Sequence, residues 1–349
     1  ECDEYSAWSP RLCAIANRAA EAWKITSDRF ELPVNVAVLR CPKDCANAND
    51  LVDRIDQLLD IPDRAGNRHV FYATDFVADK KREDASIAEA LERSIRTGTP
   101  ELRYQPVHSV ADGGTIAVEA LLCLRMGEDR LIRQHDVIRI AERIGVTQRL
   151  AHAFLERSLR WYASSGAEAY GVRRLEVRLL ESKCLEQDWD ESILEILAST
   201  GVDPSRLCLE IAESVVANVP NELARGMARL ESKGVAFALD DFGSGYTDLR
   251  SVIDMPFPVV KFDKRIVHTG LSSDKGRRLL EGTARLFRDL GRIIVAEGIE
   301  TQEQADAMTA MGFDYLQGYR FGRPCGETEI VVLLAADRTS GDSRGNPPL

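Results

Sequence analysis

Long apolar runs are missing from this sequence. No stretch reaches about 18 consecutive apolar residues, so we expect no membrane-spanning helix in it. A signal peptide is missing as well, and we expect a cytoplasmic protein. There is no initiator Met. We therefore expect part of something longer, with a sensory or membrane segment upstream. Paired C-x-x-C knuckles are absent. The eight cysteines (Cys2, Cys13, Cys41, Cys45, Cys123, Cys184, Cys208 and Cys325) are scattered, and Cys41 with Cys45 is a weak metal signal. Reduced thiols are the expectation. The five histidines are dispersed too, and none reads as a ligand. An excess of basic charge is also lacking: 45 Lys and Arg stand against 56 Asp and Glu, a formal net charge of -11. Bulk charge of that sign attracts neither nucleic acid nor an anionic membrane, so we expect no nucleic-acid partner. A local site can still bind phosphates through metal ions or a few basic residues.

What is present is enough apolar sequence for a large core, 44% of 349 residues. The length suits two domains, or one barrel-sized domain with an attachment. Residues 1–80 mix short strand-like runs, such as Val34 to Leu39, with helical ones, and predict a small α/β domain. Residues 81–99 predict a polar connector helix, with Ser86 as N-cap and Ile87, Leu91 and Ile95 as one apolar stripe. Residues 100–334 then alternate strands ("TIAVEALLCL", "LEVRLL", "LCLEIAE", "VAFALDD", "VVKFD", "IIVAEG", "YLQGYRF") with amphipathic helices that stop at Gly201, Gly234, Gly291 and Gly312. Repeated strand-helix units point to an α/β fold with a parallel sheet, most economically a (β/α)8-type barrel. An open doubly wound sheet is the alternative. Residues 335–349 have the composition of a disordered tail.

Charge sits in an unusual place in these strands. Glu119, Glu210, Asp240, Asp241, Lys261 and Glu297 lie in or just past apolar runs, and Gln317 follows "YL". Burying one carboxylate without a partner costs several kcal/mol, and "LDD" presents two side by side. In a barrel the strand C-termini converge on one face, where chemistry is done. A carboxylate cluster there becomes sensible around hard divalent cations, Mg²⁺ or Mn²⁺. Two such ions could activate a water and clamp a phosphoryl group, with Lys261 neutralising a phosphate oxygen or holding the water. Asp240 and Asp241 then read as a metal-bridging element, and "GSG" as the turn that lets the next segment close over the site.

These motifs resemble the EAL family of cyclic di-GMP phosphodiesterases. "YQPV" at 104–107, "EALL" at 119–122, "LEIAES" at 209–214, "LDDFGSGYTDL", "VVKFD", "VAEGIET" and "LQGYRFGRP" match in order. Separations of 30, 21, 36 and 20 residues along Glu210, Asp240, Lys261, Glu297 and Gln317 hold as well. The resemblance implies a TIM-like barrel that opens cyclic di-GMP to linear pGpG. It implies Glu119, Glu210, Asp240 and Asp241 as metal ligands, with Glu297 and Lys261 as catalytic residues of the water site. It implies Gln105, Leu122, Arg125 and Gln317 as substrate-side contacts, and Glu213 as the tether of the loop after Asp241. A homodimer through residues near 241–254 is implied too. Residues 1–80 resemble, more weakly, the second half of a GGDEF diguanylate cyclase domain. Glu1 and Cys2 would stand where its signature glycines belong, so no cyclase activity is expected.

Two positions depart from the family pattern. Arg178 in "VRLL" takes the place of an Asn metal ligand, 32 residues before Glu210. A guanidinium cannot ligate a metal. It is expected either to pair with Glu119 or Glu210 in the ion's place, or to turn outward and leave a water there. Cys123 in "EALLCL" replaces an Arg that contacts phosphate. Losing such a charge-assisted contact costs about 1.5–3 kcal/mol, which Arg125 on the same strand face partly offsets. Two readings stand. One is a metal-dependent phosphodiesterase. The other is a cyclic di-GMP receptor or interaction module with impaired or lost hydrolysis and no bound ion.

Overall fold

The computed structural model describes residues 70–127, 130–180, 188–216, 221–244 and 257–342, with short pieces between residues 11 and 55. The chain divides into two compact units, Glu1–Ser86 and Ile87–Leu349. In the first, β1 (Trp23–Ile25) pairs antiparallel with β2 (Asp28–Phe30), and β3 (Val36–Val38) pairs parallel with β4 (Val70–Tyr72). β3 falls in the run expected to be extended. Most of residues 1–80, where a cyclase-like module was expected, lies outside the described residues, Glu1 and Cys2 included, as do Cys13, Cys41, Cys45 and Cys184.

A helix over Ala73–Thr97 leads into the second unit. Its start is earlier than the sequence suggested, and Ser86 is an interior residue rather than a cap. The Lys, Arg, Glu and Asp run before Ser86 is helix-compatible, so nothing there stops the helix. The predicted stripe holds, with Ile87, Leu91 and Ile95 all buried.

The second unit is built on β5 (Glu101–Ser109), β6 (Thr115–Met126), β7 (Arg130–Arg133), β8 (Arg174–Arg178), β9 (Leu207–Ala212), β10 (Ala236–Phe242), β11 (Val259–Phe262), β12 (Ile293–Ala296) and β13 (Tyr315–Gln317). Their order is β5-β13-β12-β11-β10-β9-β8-β6-β7, and β5 also pairs with β6. That last pairing closes an eight-strand barrel, and β7 pairs with the end of β6, Cys123–Met126, beyond the stretch that pairs with β8. The open doubly wound alternative is thereby set aside. β5 runs antiparallel to both β13 and β6, whereas the other barrel pairs are parallel.

Period-two alternation explains where the charges go. Ala117, Cys208, Ala238, Val259 and Val295 point inward and pack as one small apolar layer. Two residues further along the same strands stand Glu119, Glu210, Asp240, Lys261 and, just past β12, Glu297. The intervening residues, such as Leu209, Leu239, Val260 and Ala296, face outward into the larger core under the helices. A strand buried on both faces thus reads as an apolar run with a single charge in it.

The predicted helices form at Trp189–Thr200, Asn221–Glu231, Asp274–Asp289 and Gln302–Ala310. The sequence reading did not single out Gln134–Ile144, Thr147–Ser165 or Lys264–Ser272. A helix over Glu327–Asp342 corrects the expectation of a disordered tail from residue 335. It is anchored by buried Ile330 and Leu334, and by Asp337, whose carboxylate accepts from Thr115 N–H at 2.8 Å. Residues 343–349 lie outside the described residues.

Candidate functional site

At the barrel mouth, Lys261 is fully buried and its Nζ sits in a cage of carboxylates. Glu210 Oε1 is 2.5 Å away, Glu119 Oε2 3.1 Å, Glu297 Oε1 3.2 Å and Glu176 Oε2 3.6 Å. Burial alone disfavours the ammonium, but Glu119, Glu210, Glu297 and Asp240 outweigh it and hold the lysine well above its usual range. The acids answer in kind. Burial pushes the carboxyls of Glu176, Glu210 and Glu297 up, against the pull of Lys261. Burial pushes Asp240 up to about 6, against Lys261 and Arg178. Gln317 donates to Glu119 Oε2 at 2.5 Å, and Gln105 lies 3.5 Å from Gln317 while donating to the Gly322 carbonyl at 3.0 Å. The expected acids, Lys261, Gln105 and Gln317 are therefore brought together.

The adjacent pair Asp240-Asp241 owes its geometry to a β-bulge. Leu239 pairs with Val260 and Phe242 with Phe262, so the two aspartates stand opposite Lys261 alone. The extra residue breaks the alternation and lets neighbouring side chains serve one mouth. Asp241 takes a left-handed backbone, φ 59°, and donates its N–H to Asp240 Oδ1 at 2.9 Å.

Arg178 follows neither course expected of it. It turns inward, but onto the aspartates rather than Glu119 or Glu210. Nη1 lies 3.1 Å from Asp240 Oδ2 and Nη2 2.7 Å from Asp241 Oδ2. Burial works against its charge, and Asp240 and Asp241 more than restore it. The β8–β9 register sets Arg178 beside Glu210, one strand away from β10, and the long guanidinium stem spans the gap.

Glu213 stands where a tether is needed: one carboxylate oxygen accepts from Gly243 N–H at 2.8 Å and Ser244 N–H at 3.2 Å. The rest of that loop, including most of the expected dimer segment at 241–254, lies outside the described residues. Leu122 is not at the mouth. Its strand parity is opposite to that of Glu119, and it is buried in the core beneath the helices. Leu121 shares the parity of Glu119. Cys123 also shares it, and burial pushes its thiol up to about 11. Arg125 reaches outward to Glu101, at 2.5 and 3.1 Å. Sequence reasoning missed Glu176. The signal was available, since Glu176 precedes Arg178 by two residues in a strand and so must face the same way.

The oxygen donors suit a hard divalent ion. Asp240, Asp241 and Glu297 offer carboxylate oxygens within 4.8 Å of one another and are the residues that would hold one. Arg178 already occupies two of these three, and Lys261 fills the space among the glutamates.

An EAL domain family model matches residues 88–324. The chain belongs to the EAL domain family. Its relatives include the bifunctional diguanylate cyclase/cyclic di-GMP phosphodiesterase MucR of Pseudomonas aeruginosa, 23% identical over 325 residues that make up 92% of this chain and 47% of MucR. The cyclic di-GMP phosphodiesterase NbdA of the same organism is 24% identical over 307 residues, 88% of this chain and 39% of NbdA. This EAL chain thus spans less than half the length of these curated relatives. A solved structure of the PaMucR phosphodiesterase in complex with c-di-GMP is 26% identical, with a TM-score of 0.64, and covers 70% of this chain and 99% of that one.

Proposed function

We propose that the barrel mouth binds cyclic di-GMP and that its hydrolysis to pGpG is impaired or lost. The observation that carries this reading is the Arg178 guanidinium on both Asp240 and Asp241. Asp240, Asp241 and Glu297 are the residues that would hold an Mg²⁺ or Mn²⁺ ion, which would supply Lewis-acid polarisation of a water and of a phosphoryl oxygen. Arg178 neutralises the aspartates without supplying that water. Lys261 is held at the mouth by the surrounding glutamates. Gln105 and Gln317 offer amides to the ligand. Cys123 brings no charge to a phosphate, which weakens binding. The names of the MucR and NbdA relatives support the ligand class.

A second reading is an active, metal-dependent phosphodiesterase. It is favoured by the close approach of Asp240, Asp241 and Glu297. In both readings residues 1–80 are a degenerate cyclase-like module, regulatory or vestigial, and two copies associate through residues near 241–254.

Calorimetric titration with cyclic di-GMP, once in Ca²⁺ and once in Mg²⁺, tests the proposal, with the Mg²⁺ sample assayed for pGpG. Binding without product is the expected result. Binding with product establishes the second reading. No binding in either buffer discards both and leaves the barrel as a protein-interaction scaffold.

A further inference from the structure

We propose that Arg178 is a positioning residue for the turn at residues 241–244, and that it fixes this turn without any divalent ion. Three features converge there. First, the β10 bulge brings the carboxylates of the consecutive Asp240 and Asp241 to one mouth, and their mutual repulsion opposes this arrangement unless a cation bridges them. Arg178 is that bridge, with one guanidinium nitrogen on each aspartate. The planar fork suits the task, since it presents parallel donors at a fixed spacing. Second, Asp241 holds a backbone conformation disfavoured for a residue with a Cβ, φ 59°. Its side chain is held by Arg178, and its carbonyl accepts from Ser244 N–H at 3.0 Å. Arg265, distant in sequence but close enough to feel the charge of Asp241, is engaged by Asp263 at 2.7 Å. Third, the conformation of Asp241 sets the direction of the chain through Gly243 and Ser244. Gly243 (φ 86°) packs so closely on Ile266 that an added Cβ would lie 2.8 Å from its side chain, and Gly243 and Ser244 both donate to Glu213. A rotation at Asp241 would carry both amides away from that carboxylate.

The turn is thus held by Glu213 on its amides, by Asp263 N–H on the Phe242 carbonyl at 3.0 Å, and by Arg178 on its first side chain. An ion on Asp240, Asp241 and Glu297 would bridge the same two aspartates. In this chain an arginine makes the order of the turn permanent rather than dependent on cation supply. The inference deepens the proposed reading of the mouth, but the test without metal does not depend on cyclic di-GMP binding. Failure of either reading therefore shows separately.

Hydrogen exchange with mass spectrometry on the full chain, in EDTA and in Mg²⁺, reads peptides covering Asp241 to Ser244, with β9 as the control for folding. The unaltered chain is expected to exchange at the same rate in both buffers. Arg178→Asn is expected to exchange at least tenfold faster at 241–244 in EDTA, to return to the original rate in Mg²⁺, and to leave β9 unchanged. Retained protection of Arg178→Asn in EDTA overturns the proposal. So does an unaltered chain that loses protection in EDTA, or an Arg178→Asn turn that Mg²⁺ does not restore. Should Arg178→Asn also lose protection in β9, Arg178→Lys decides. It keeps the charge but not the fork, so its EDTA rate should lie above that of the unaltered chain. Equal rates overturn the inference.

Discussion

Lys261 has no exposed surface, and its charge is tolerated only because four carboxylates lie within 3.6 Å. Removing one member of such a buried set costs more than the set itself contributes, because the remainder is left uncompensated. Lys261→Met is therefore expected to lower stability by about 3–5 kcal/mol in urea denaturation. A loss under about 1 kcal/mol would mean that the acids discharge by taking up protons instead. Protonation has its own signature. The Asp240 carboxyl rises from an ordinary 3.8 to about 6 in the folded chain. Between those values the folded chain holds a proton that the unfolded chain has released. Stability contributed by this group is therefore present below the lower value, falls as pH rises between the two, and is flat above. Glu176, Glu210 and Glu297 shift in the same direction. The urea midpoint should decline across that window, and Asp240→Asn should flatten the decline. An equally steep profile in the variant would remove Asp240 from the account. Cys123→Arg, which places a cation on the face of β6 shared with Glu119, should tighten cyclic di-GMP binding by about tenfold in calorimetry, as a charge-assisted contact does. Unchanged affinity would mean that the ligand does not reach Cys123.

Elements, rather than single side chains, decide how much of this was legible. Strands buried on both faces announce themselves as apolar runs with one charge, so β9, β11 and β12 were found with their site residues. Helices with a clear end glycine, such as Trp189–Thr200 before Gly201, were found as well. The bulge in β10 was not legible. Nothing in "LDD" tells a bulge from a strand end, because the extra residue shows only against the register of β11. The partner chosen by Arg178 was hidden for a related reason. Spacing fixes its strand and height, but not which neighbour a long side chain reaches. The final helix was hidden because its anchor, Asp337 on Thr115, spans the chain. Helix packing gives its own prediction. Gly226, in Asn221–Glu231, faces the Trp189 ring so closely that an added Cβ would stand 2.5 Å from Nε1. Gly226→Ala should therefore destabilise by about 1–3 kcal/mol through overpacking, despite the better helix propensity of alanine. A stabilised variant would show that the two helices separate without penalty.

The whole molecule contributes through closure. Among the described residues no helix is long and apolar enough to cross a membrane. The mouth draws residues from β5, β6, β8, β9, β10, β11 and β13, so a ligand there touches most of the barrel at once. Cyclic di-GMP at a hundredfold excess over its Kd should raise the unfolding free energy by about 2.7 kcal/mol, seen as a shift of the thermal midpoint. A midpoint that does not move would place binding elsewhere or nowhere.

Closure also has a history in time. The seam is β5 against β13, where Val107 meets Gln317 across most of the domain. A chain emerging from the ribosome makes β5 first among the barrel strands and must hold its edge unpaired until the last one appears. Until then the acids that share Lys261 have no finished wall around them, and the exposed edge can pair with a stranger. Synthesis order thus sets a waiting period in which the protein is most open to misassembly, and a stop codon anywhere before residue 317 would leave that seam unsealed for good.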